Sequence, residues 1–247
     1  MISIEELKKY AETKNFNLGQ AEKDYFQEII LFSLYKEFGK ELVFKGGTAL
    51  TKCYGFDRFS EDLDFTSNED KDFKKIINKT LNAFYIEYEV QEKTYEDAKK
   101  ITYKIKGPLY NENRISLCKI EIDVSLREKT ILETETKKIG LQIEQIPSFE
   151  VIAMNEKEIF AEKIRAILTR NSARDIYDLY HLIKKGIKTE KELIQEKLKN
   201  YKEKYTKETI KRKLEEKKEI YDKELKHLTK KYPKFEDAYN LITKNLP

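Results

Sequence analysis

The sequence predicts an α/β (α+β) protein, with a small mixed sheet flanked by helices in its first part and helices alone in the remainder. Apolar residues recur at helical spacing in the segments 21–38 and 70–88. Apolar and polar residues alternate, as in half-buried strands, at 101–110 and 115–128. Helical spacing continues from residue 155 to the end. We therefore expect two domains, 1–147 and 148–247, with the change near Pro147.

The first elements follow from local signals. The helix 21–38 stops at Gly39, and the short apolar strand 41–44 comes next. Gly46 and Gly47 then open a short helix through Tyr54. A polar loop leads into the strand 62–66, so a glycine-opened helix lies between two predicted strands.

The helix 70–88 has its apolar residues along one face and is expected to pack over the sheet. The two alternating segments that follow it are expected to pair as antiparallel strands through a turn at 108–114. The segments 140–146 and 149–154 are predicted as edge strands.

The tail of the chain is basic and carries one apolar stripe. Residues 187–247 hold 18 Lys and Arg against 12 Asp and Glu, a net charge of +6 within an overall +4. Lysine-rich helices are most often solvated surface, but they also supply the sequence-independent part of nucleic-acid affinity. The stripe predicts a helical core, broken or bent at Pro233. Its members are Leu214, Tyr221, Leu225, Leu228, Tyr232, Phe235, Tyr239, Ile242 and Leu246.

Composition excludes several classes of protein. With 39% hydrophobic and 12% aromatic residues, the 247-residue chain is expected to fold. Because no apolar run approaches the ~20 residues of a membrane span, we expect a cytoplasmic protein with no membrane partner. Cys53 and Cys118 lack nearby ligands and are interpreted as buried thiols. His181 and His227 are isolated and are interpreted as ordinary helix residues.

Two aspartates on the second strand are the first candidates for chemistry. Asp62 and Asp64 are two residues apart, so both side chains lie on one face of a strand. Carboxylates side by side repel and favour a hard divalent cation, Mg²⁺ or Mn²⁺, between them. An isolated pair of this kind is more often plain surface, so the interpretation depends on its surroundings.

The residues around this pair indicate a phosphate-binding site. Gly46 and Gly47 let backbone N–H groups approach a bound group closely, and Thr48 adds a hydroxyl at the start of a helix. Asp123 lies on the charged face of a later strand and can complete the acidic cluster if that strand adjoins Asp62 and Asp64. Three such carboxylates could hold two metal ions about 4 Å apart, with Asp123 as base or bridging ligand. Otherwise that face is solvent-exposed.

These motifs resemble a known superfamily. GGTAL, DLD and the later IEIDV strand are similar to the nucleotidyltransferases that include DNA polymerase beta, although Thr48 replaces a serine and the spacer to Asp62 is longer. More narrowly, GGTAL, RFSEDLDF and EKIRAILTRNSARDIYDLYHL resemble the AbiEii/AbiGii group of abortive-infection toxins. The match runs from about residue 44 to 182.

The resemblance implies a nucleotidyltransferase-like first domain and functional roles for Lys163 and Asp175 in the helical domain. Lys163 falls on an apolar helix face, so it is either directed at a triphosphate or lies along apolar surface with its ammonium in water. Asp175 could instead be a first-turn acid stabilised by the helix dipole. Arg58 and Ser60, just before the acidic strand, are candidates for gripping phosphate or for fixing the loop.

The predicted function is therefore a metal-dependent nucleotidyltransferase. The resemblance implies the toxin of a type IV toxin–antitoxin pair that transfers nucleotides from an NTP to RNA, with the 3′ end of tRNA as the leading candidate and a cognate antitoxin as partner. Two alternatives remain at this point. The same site could modify a protein or a small molecule, or the fold could be an inactive module that binds RNA or protein through its lysine-rich helices.

Overall fold

The computed structural model describes residues 1–127, 129–140 and 146–247. Within these residues the chain forms ten α-helices and a seven-stranded mixed sheet, which confirms the predicted α/β class. No helix in these described ranges is both long enough and apolar enough to cross a membrane.

The elements have the following bounds. The helices are α1 (Ile4–Lys14), α2 (Leu18–Phe38), α3 (Gly46–Tyr54), α4 (Phe73–Ala83), α5 (Glu156–Thr169), α6 (Arg174–Lys184), α7 (Lys191–Leu198), α8 (Lys207–Glu215), α9 (Lys218–Leu225) and α10 (Phe235–Lys244). The strands are β1 (Leu42–Lys45), β2 (Leu63–Ser67), β3 (Tyr88–Thr94), β4 (Ala98–Ile105), β5 (Cys118–Ser125), β6 (Glu135–Ile139) and β7 (Phe149–Ala153).

The strand order across the sheet is β3-β4-β5-β2-β1-β7-β6. β2 runs parallel to β5 and β1 runs parallel to β7, while the other neighbours are antiparallel. Side chains alternate between faces, so one face of the central strands is apolar and buried, with Phe44 and Phe65 in contact at 5.4 Å between ring centroids. α2 contacts β5 and β7, and α4 contacts α2. The opposite face carries the charged residues.

The chain divides into two compact units. The first comprises Met1–Gly55, Phe59–Thr130 and Thr134–Ala153, and the second comprises Phe56–Arg58, Ile131–Glu133 and Met154–Pro247. The first unit contains the sheet and helices α1 to α4, and the second contains α5 to α10. The assignment of 1–147 and 148–247 as separate functional domains stays a prediction.

Several predicted elements hold and others need correction. The antiparallel pairing of 101–110 with 115–128 is confirmed as β4 and β5. The helix predicted over 70–88 ends at Ala83, and its last residue belongs to β3. The segment 149–154 forms β7, which lies between β1 and β6 and is therefore not an edge strand. Of the other predicted edge strand, 140–146, residues 141–145 lie outside the described part of the chain.

The apolar stripe of the tail is distributed over three short helices. Leu214, Tyr221, Leu225, Phe235 and Ile242 are buried, as the stripe predicts. α9 ends at Leu225 and α10 begins at Phe235, so the break includes Pro233. The Tyr221 hydroxyl donates to the Pro233 carbonyl oxygen at 3.1 Å and holds the connection in place.

Candidate active site

Four charged residues form a row across neighbouring strands on the open face of the sheet. The register pairs Lys45 of β1 with Asp64 of β2, Asp64 with Asp123 of β5, and Asp123 with Lys100 of β4. Paired residues in adjacent strands project to the same face, and the strands lie about 4.8 Å apart. The sequence thus folds to bring two carboxylates together between two lysines.

Asp64 is packed against the start of α3. Gly46 has a φ of +75°, a conformation that side-chain-bearing residues rarely adopt. A Cβ at this position would overlap Asp64 Oδ2 and would lie only 2.8 Å from Asp64 Cγ. The glycine therefore lets the Asp64 carboxylate approach the first turn of α3 closely.

The Asp64 carboxylate affects the protonation of Asp123. Burial and the charge of Asp64 raise the pKa of Asp123 to about 6, against the opposing effect of Lys100. The Lys100 ammonium lies 3.9 Å from Asp123 Oδ2 and 3.0 Å from Glu121 Oε1. Burial alone would lower the pKa of Lys100, but these carboxylates raise it above its usual value. The pair therefore has an excess of negative charge that a divalent cation would relieve.

Asp62 lies just before β2, which begins at Leu63, and its side chain is half-buried. The Thr48 hydroxyl donates to the main-chain carbonyl oxygen of Asp62, and Thr48 is only 1% exposed. Thr48 thus ties the start of α3 to the acidic segment. Its predicted contact with a nucleotide stays a prediction.

The donor set at this site suits Mg²⁺ or Mn²⁺. Within the described residues there is no group of three His, Cys, Asp or Glu side chains already arranged around one point. Mg²⁺, however, is usually held by one or two carboxylates together with substrate phosphates and water. Asp64 and Asp123 fit that requirement, and Asp62 lies two residues before Asp64 in the sequence.

A second charged cluster lies in the helical unit. Lys163 of α5 is 5% exposed and its ammonium lies 3.0 Å from Asp175 Oδ1 and 2.7 Å from Asp178 Oδ2. Arg58 binds Asp178 through two hydrogen bonds, of 2.6 and 2.7 Å, and Arg170 binds Asp175 in the same way, at 2.7 and 2.8 Å. Lys163 is therefore on an inward helix face, as predicted, but its ammonium is paired with carboxylates instead of reaching water.

The same cations set the charge state of the two acids. Burial would raise the pKa values of Asp175 and Asp178, but Lys163 and Arg170 hold the pKa of Asp175 well below its usual range, and Arg58 and Lys163 lower the pKa of Asp178. Burial likewise opposes the charge on Arg58, and Asp178 raises the pKa of its guanidinium. Asp175 and Asp178 are therefore ionised at neutral pH.

Comparison with known proteins gives the family. The family model of the nucleotidyltransferase AbiEii toxin, of type IV toxin–antitoxin systems, matches residues 29–241. The chain belongs to this family. It is a nucleotidyltransferase toxin, as the motifs in the sequence predict. No curated protein sequence matches the chain.

Solved structures with the same fold include a nucleotidyltransferase toxin. MenT4, a nucleotidyltransferase toxin from Mycobacterium tuberculosis, is 17% identical with a TM-score of 0.60, over 99% of this chain and 88% of that chain. JHP933 from Helicobacter pylori is 18% identical with a TM-score of 0.58, over 91% and 89%. A putative nucleotidyltransferase from H. pylori gives 18% and 0.57, over 90% of each chain. At these identities the likeness shows the fold.

Some residues of this AbiEii chain were not singled out by the sequence reading. Lys100 faces Asp123 because the register of β4 and β5 pairs these two residues. The alternation of apolar and polar residues shows which face each side chain lies on, but it does not give the register. Asp178 binds Arg58 and Lys163, and in the sequence it lies within the RDIYDLYHL motif, three residues after Asp175. The assignments of Lys163 and Asp175 to catalysis, and of Arg58 and Ser60 to phosphate, stay predictions.

The histidines and cysteines lie elsewhere. His181 stacks on Tyr177 at 4.2 Å between ring centroids, and burial lowers its pKa. His227 is exposed. Cys118 is buried as predicted, whereas Cys53 is only half-buried, which corrects the prediction of two buried thiols. Burial raises the pKa of Cys53 to about 12, so it is a thiol at neutral pH.

Two large surface cavities are also separate from the predicted site. One, of about 890 Å³, lies in the helical unit beside the loop 131–133 and α7. The other, of about 640 Å³, lies beside β3 and the turn after β4. No predicted site residue lines either of these two cavities.

Proposed function

We propose that this nucleotidyltransferase toxin uses a divalent cation to transfer a nucleotide from an NTP to a hydroxyl group of RNA, with the 3′ end of tRNA as the acceptor. The observation that carries the proposal is the register of Asp64 and Asp123 on parallel strands, beside a glycine-opened helix. Two adjacent carboxylates next to an anion-binding helix terminus form the arrangement that phosphoryl transfer requires.

Each proposed site residue has a separate role. Asp64, Asp123 and Asp62 hold Mg²⁺ or Mn²⁺, which when bound neutralises charge on the triphosphate. The backbone N–H groups of Gly46 and Gly47 donate to phosphate oxygens at the start of α3. Fixed geometry and charge neutralisation supply most of the catalysis in such reactions, which is consistent with an active site that has no histidine among its proposed residues.

In the transfer step the acceptor hydroxyl oxygen forms a bond to the α-phosphorus, and the bond to the β-phosphate oxygen breaks. Pyrophosphate leaves with the bonding electron pair. The hydroxyl proton passes to the Asp123 carboxylate, which the register of β2 and β5 places beside Asp64.

RNA is the preferred acceptor because of the charge distribution. Residues 187–247 carry a net charge of +6, which favours a polyanion over a neutral small molecule. The family description adds an antitoxin as the partner in the cell. Lys163 and Asp175 enter the proposal through the family motif, as functional residues of the helical unit.

The test is a labelling experiment with each α-labelled NTP, Mg²⁺ and total RNA. We expect label in RNA, specifically in the tRNA fraction, with the wild-type protein. Asp64→Asn and Asp123→Asn should each remove the label, because each takes away one of the two paired carboxylates. Asp97→Asn is the matched control, since Asp97 is a partly exposed acid that pairs with Arg127 at 3.4 Å.

Each result has a distinct meaning. Label in protein instead of RNA would replace the proposed acceptor with a protein. Label that persists in both Asp64→Asn and Asp123→Asn would contradict the assigned carboxylates. No label in any acceptor would favour a binding module.

A further inference from the structure

The segment that leads into β2 is held at three successive carbonyl oxygens. The Gln27 side-chain amide donates to the carbonyl oxygens of Ser60 and Glu61, both at 2.9 Å. The Thr48 hydroxyl donates to the carbonyl oxygen of Asp62. Side chains from two different helices, α2 and α3, therefore fix the main chain of residues 60–62.

Gln27 is suited to this contact by its chemistry and its burial. It lies in the middle of α2 and is 0% exposed. Both hydrogens of its amide group are used on carbonyl acceptors, and only the NH₂ end of the amide can satisfy two acceptors. One turn earlier on α2, Lys23 lies 3.3 Å from Glu61 Oε1. The acidic segment thus runs along α2.

Asp62 comes directly after the two residues that Gln27 holds and directly before the first paired residue of β2. β2 begins at Leu63, and the pairing of β2 with β5 also begins there. Asp64 is held by the register of its strand, whereas the segment 60–62 is held by side chains. A displacement of the main chain at Asp62 would move the Asp62 carboxylate relative to the Asp64 carboxylate.

We propose that Gln27 is a positioning residue for Asp62, and that its two hydrogen bonds set the affinity of the carboxylate site for a divalent cation. The inference rests on the proposed function, which makes Asp62 a metal ligand. Residues that orient metal ligands through hydrogen bonds typically change metal affinity about 10- to 100-fold when replaced. Gln27 acts through the backbone of its neighbour and has no assigned contact with substrate.

A purely structural role is the competing explanation, and α2 offers a matched control. Ser33 lies on the same helix, is 3% exposed, and donates to the Ile76 carbonyl oxygen at 3.2 Å. Its hydroxyl also accepts from Thr80 Oγ1 at 3.0 Å. Ser33→Ala removes a buried hydrogen bond to a main-chain carbonyl of unit one, but far along α2 from residues 60–62.

The experiment measures Mn²⁺ binding by electron paramagnetic resonance, with an unreactive NTP analogue present and no turnover. The variants are Gln27→Met, which keeps the volume and removes both donors, and Gln27→Glu, which keeps the shape. We expect both to raise the Kd for Mn²⁺ about tenfold or more. Ser33→Ala should leave the Kd unchanged while lowering the thermal midpoint. If Gln27→Met does not fold, Gln27→Glu and Thr48→Val test the same three carbonyl contacts.

A double-mutant cycle distinguishes an effect of Gln27 on the position of Asp62 from a general loss of stability. If Gln27 acts through Asp62, Gln27→Met should change the Kd little in the Asp62→Asn background. Equal Kd values for wild type and both Gln27 variants would overturn the inference, as would a wild-type protein that binds no Mn²⁺. So would an equal loss in Ser33→Ala, or a full additional loss in the Asp62→Asn background.

This readout does not depend on nucleotide transfer. If the wild-type protein labels RNA but the Gln27 variants bind Mn²⁺ normally, the inference fails and the proposed function stands. If no acceptor is labelled but Mn²⁺ binding depends on both Gln27 and Asp62, the inference stands and the proposed function fails.

Discussion

Replacement of Asp178 by asparagine should cost a large part of the stability of the helical unit. The Asp178 carboxylate is 0% exposed and accepts two hydrogen bonds from Arg58. It also forms an ion pair with the Lys163 ammonium at 2.7 Å. Asparagine keeps the shape but removes the charge and directs an NH₂ group at a donor. Two buried cations are then left with Asp175, which Arg170 already binds.

The magnitude follows from this geometry. Removing one partner of a buried ion pair costs about 3–5 kcal/mol, because the remaining charge stays buried without compensation. For a chain of this size that corresponds to a fall in the thermal midpoint of roughly 6–20 °C. The comparison is Glu236→Gln, whose pair with Lys218 at 2.8 Å is about 60% exposed on both sides, so we expect a much smaller fall in the thermal midpoint.

The assay is thermal unfolding followed by circular dichroism at several pH values. Because the folded protein holds the pKa of Asp178 below its usual value, its contribution is complete above about pH 4 and is lost as the pH falls further. The gap between wild type and Asp178→Asn should therefore shrink in acid. A loss no larger than that of Glu236→Gln at pH 7 would refute the account of this cluster.

Two further substitutions probe the carboxylate pair. Gly46→Ala should lower both stability and Mn²⁺ affinity, because Gly46 has a φ of +75° and a Cβ there would overlap Asp64. Gly55 is the control, since it has a φ of +74° but no atom within 4 Å of a Cβ. Gly55→Ala should therefore lower stability alone. Equal Mn²⁺ affinity in the two variants would contradict the role of Gly46. Asp123→Asn should raise the thermal midpoint in the absence of divalent cations, because the raised pKa of Asp123 makes the folded state less stable as the pH rises from about 4 through 6. The gain should be present at pH 8 and vanish near pH 4, and a variant less stable than wild type at pH 8 would contradict it.

Much of the sheet could be predicted because its strands show their faces in the sequence. The segment CKIEIDVS alternates apolar and charged residues, and it is β5 with Ile120, Ile122 and Val124 buried. β3 and β6 were missed because charged residues dominate both strands, so periodicity gave little signal. Only four residues separate α4 from β3, and Phe84 among them continues the apolar spacing of the helix in the sequence.

The site was predictable where a motif places residues on one element, and less so where the fold brings distant residues together. Asp64 and Asp123 could be proposed as neighbours from strand alternation, but the register that pairs them is a property of the folded sheet. Gln27 lies in an apolar helix and gives no signal in the sequence, because its partners are main-chain carbonyls 33 and 34 residues away. Asp178 needed the contact with Arg58, 120 residues earlier, to be recognised.

The most direct test of the central claim is a crystal structure with Mn²⁺ and an unreactive NTP analogue, with the metal located by anomalous scattering. The account predicts Mn²⁺ coordinated by oxygens of both Asp64 and Asp123 at roughly 2.1 Å, near the value for Mg²⁺, with the phosphates at the first N–H groups of α3. Mn²⁺ bound at other residues, or phosphates seated away from Gly46 and Gly47, would contradict it.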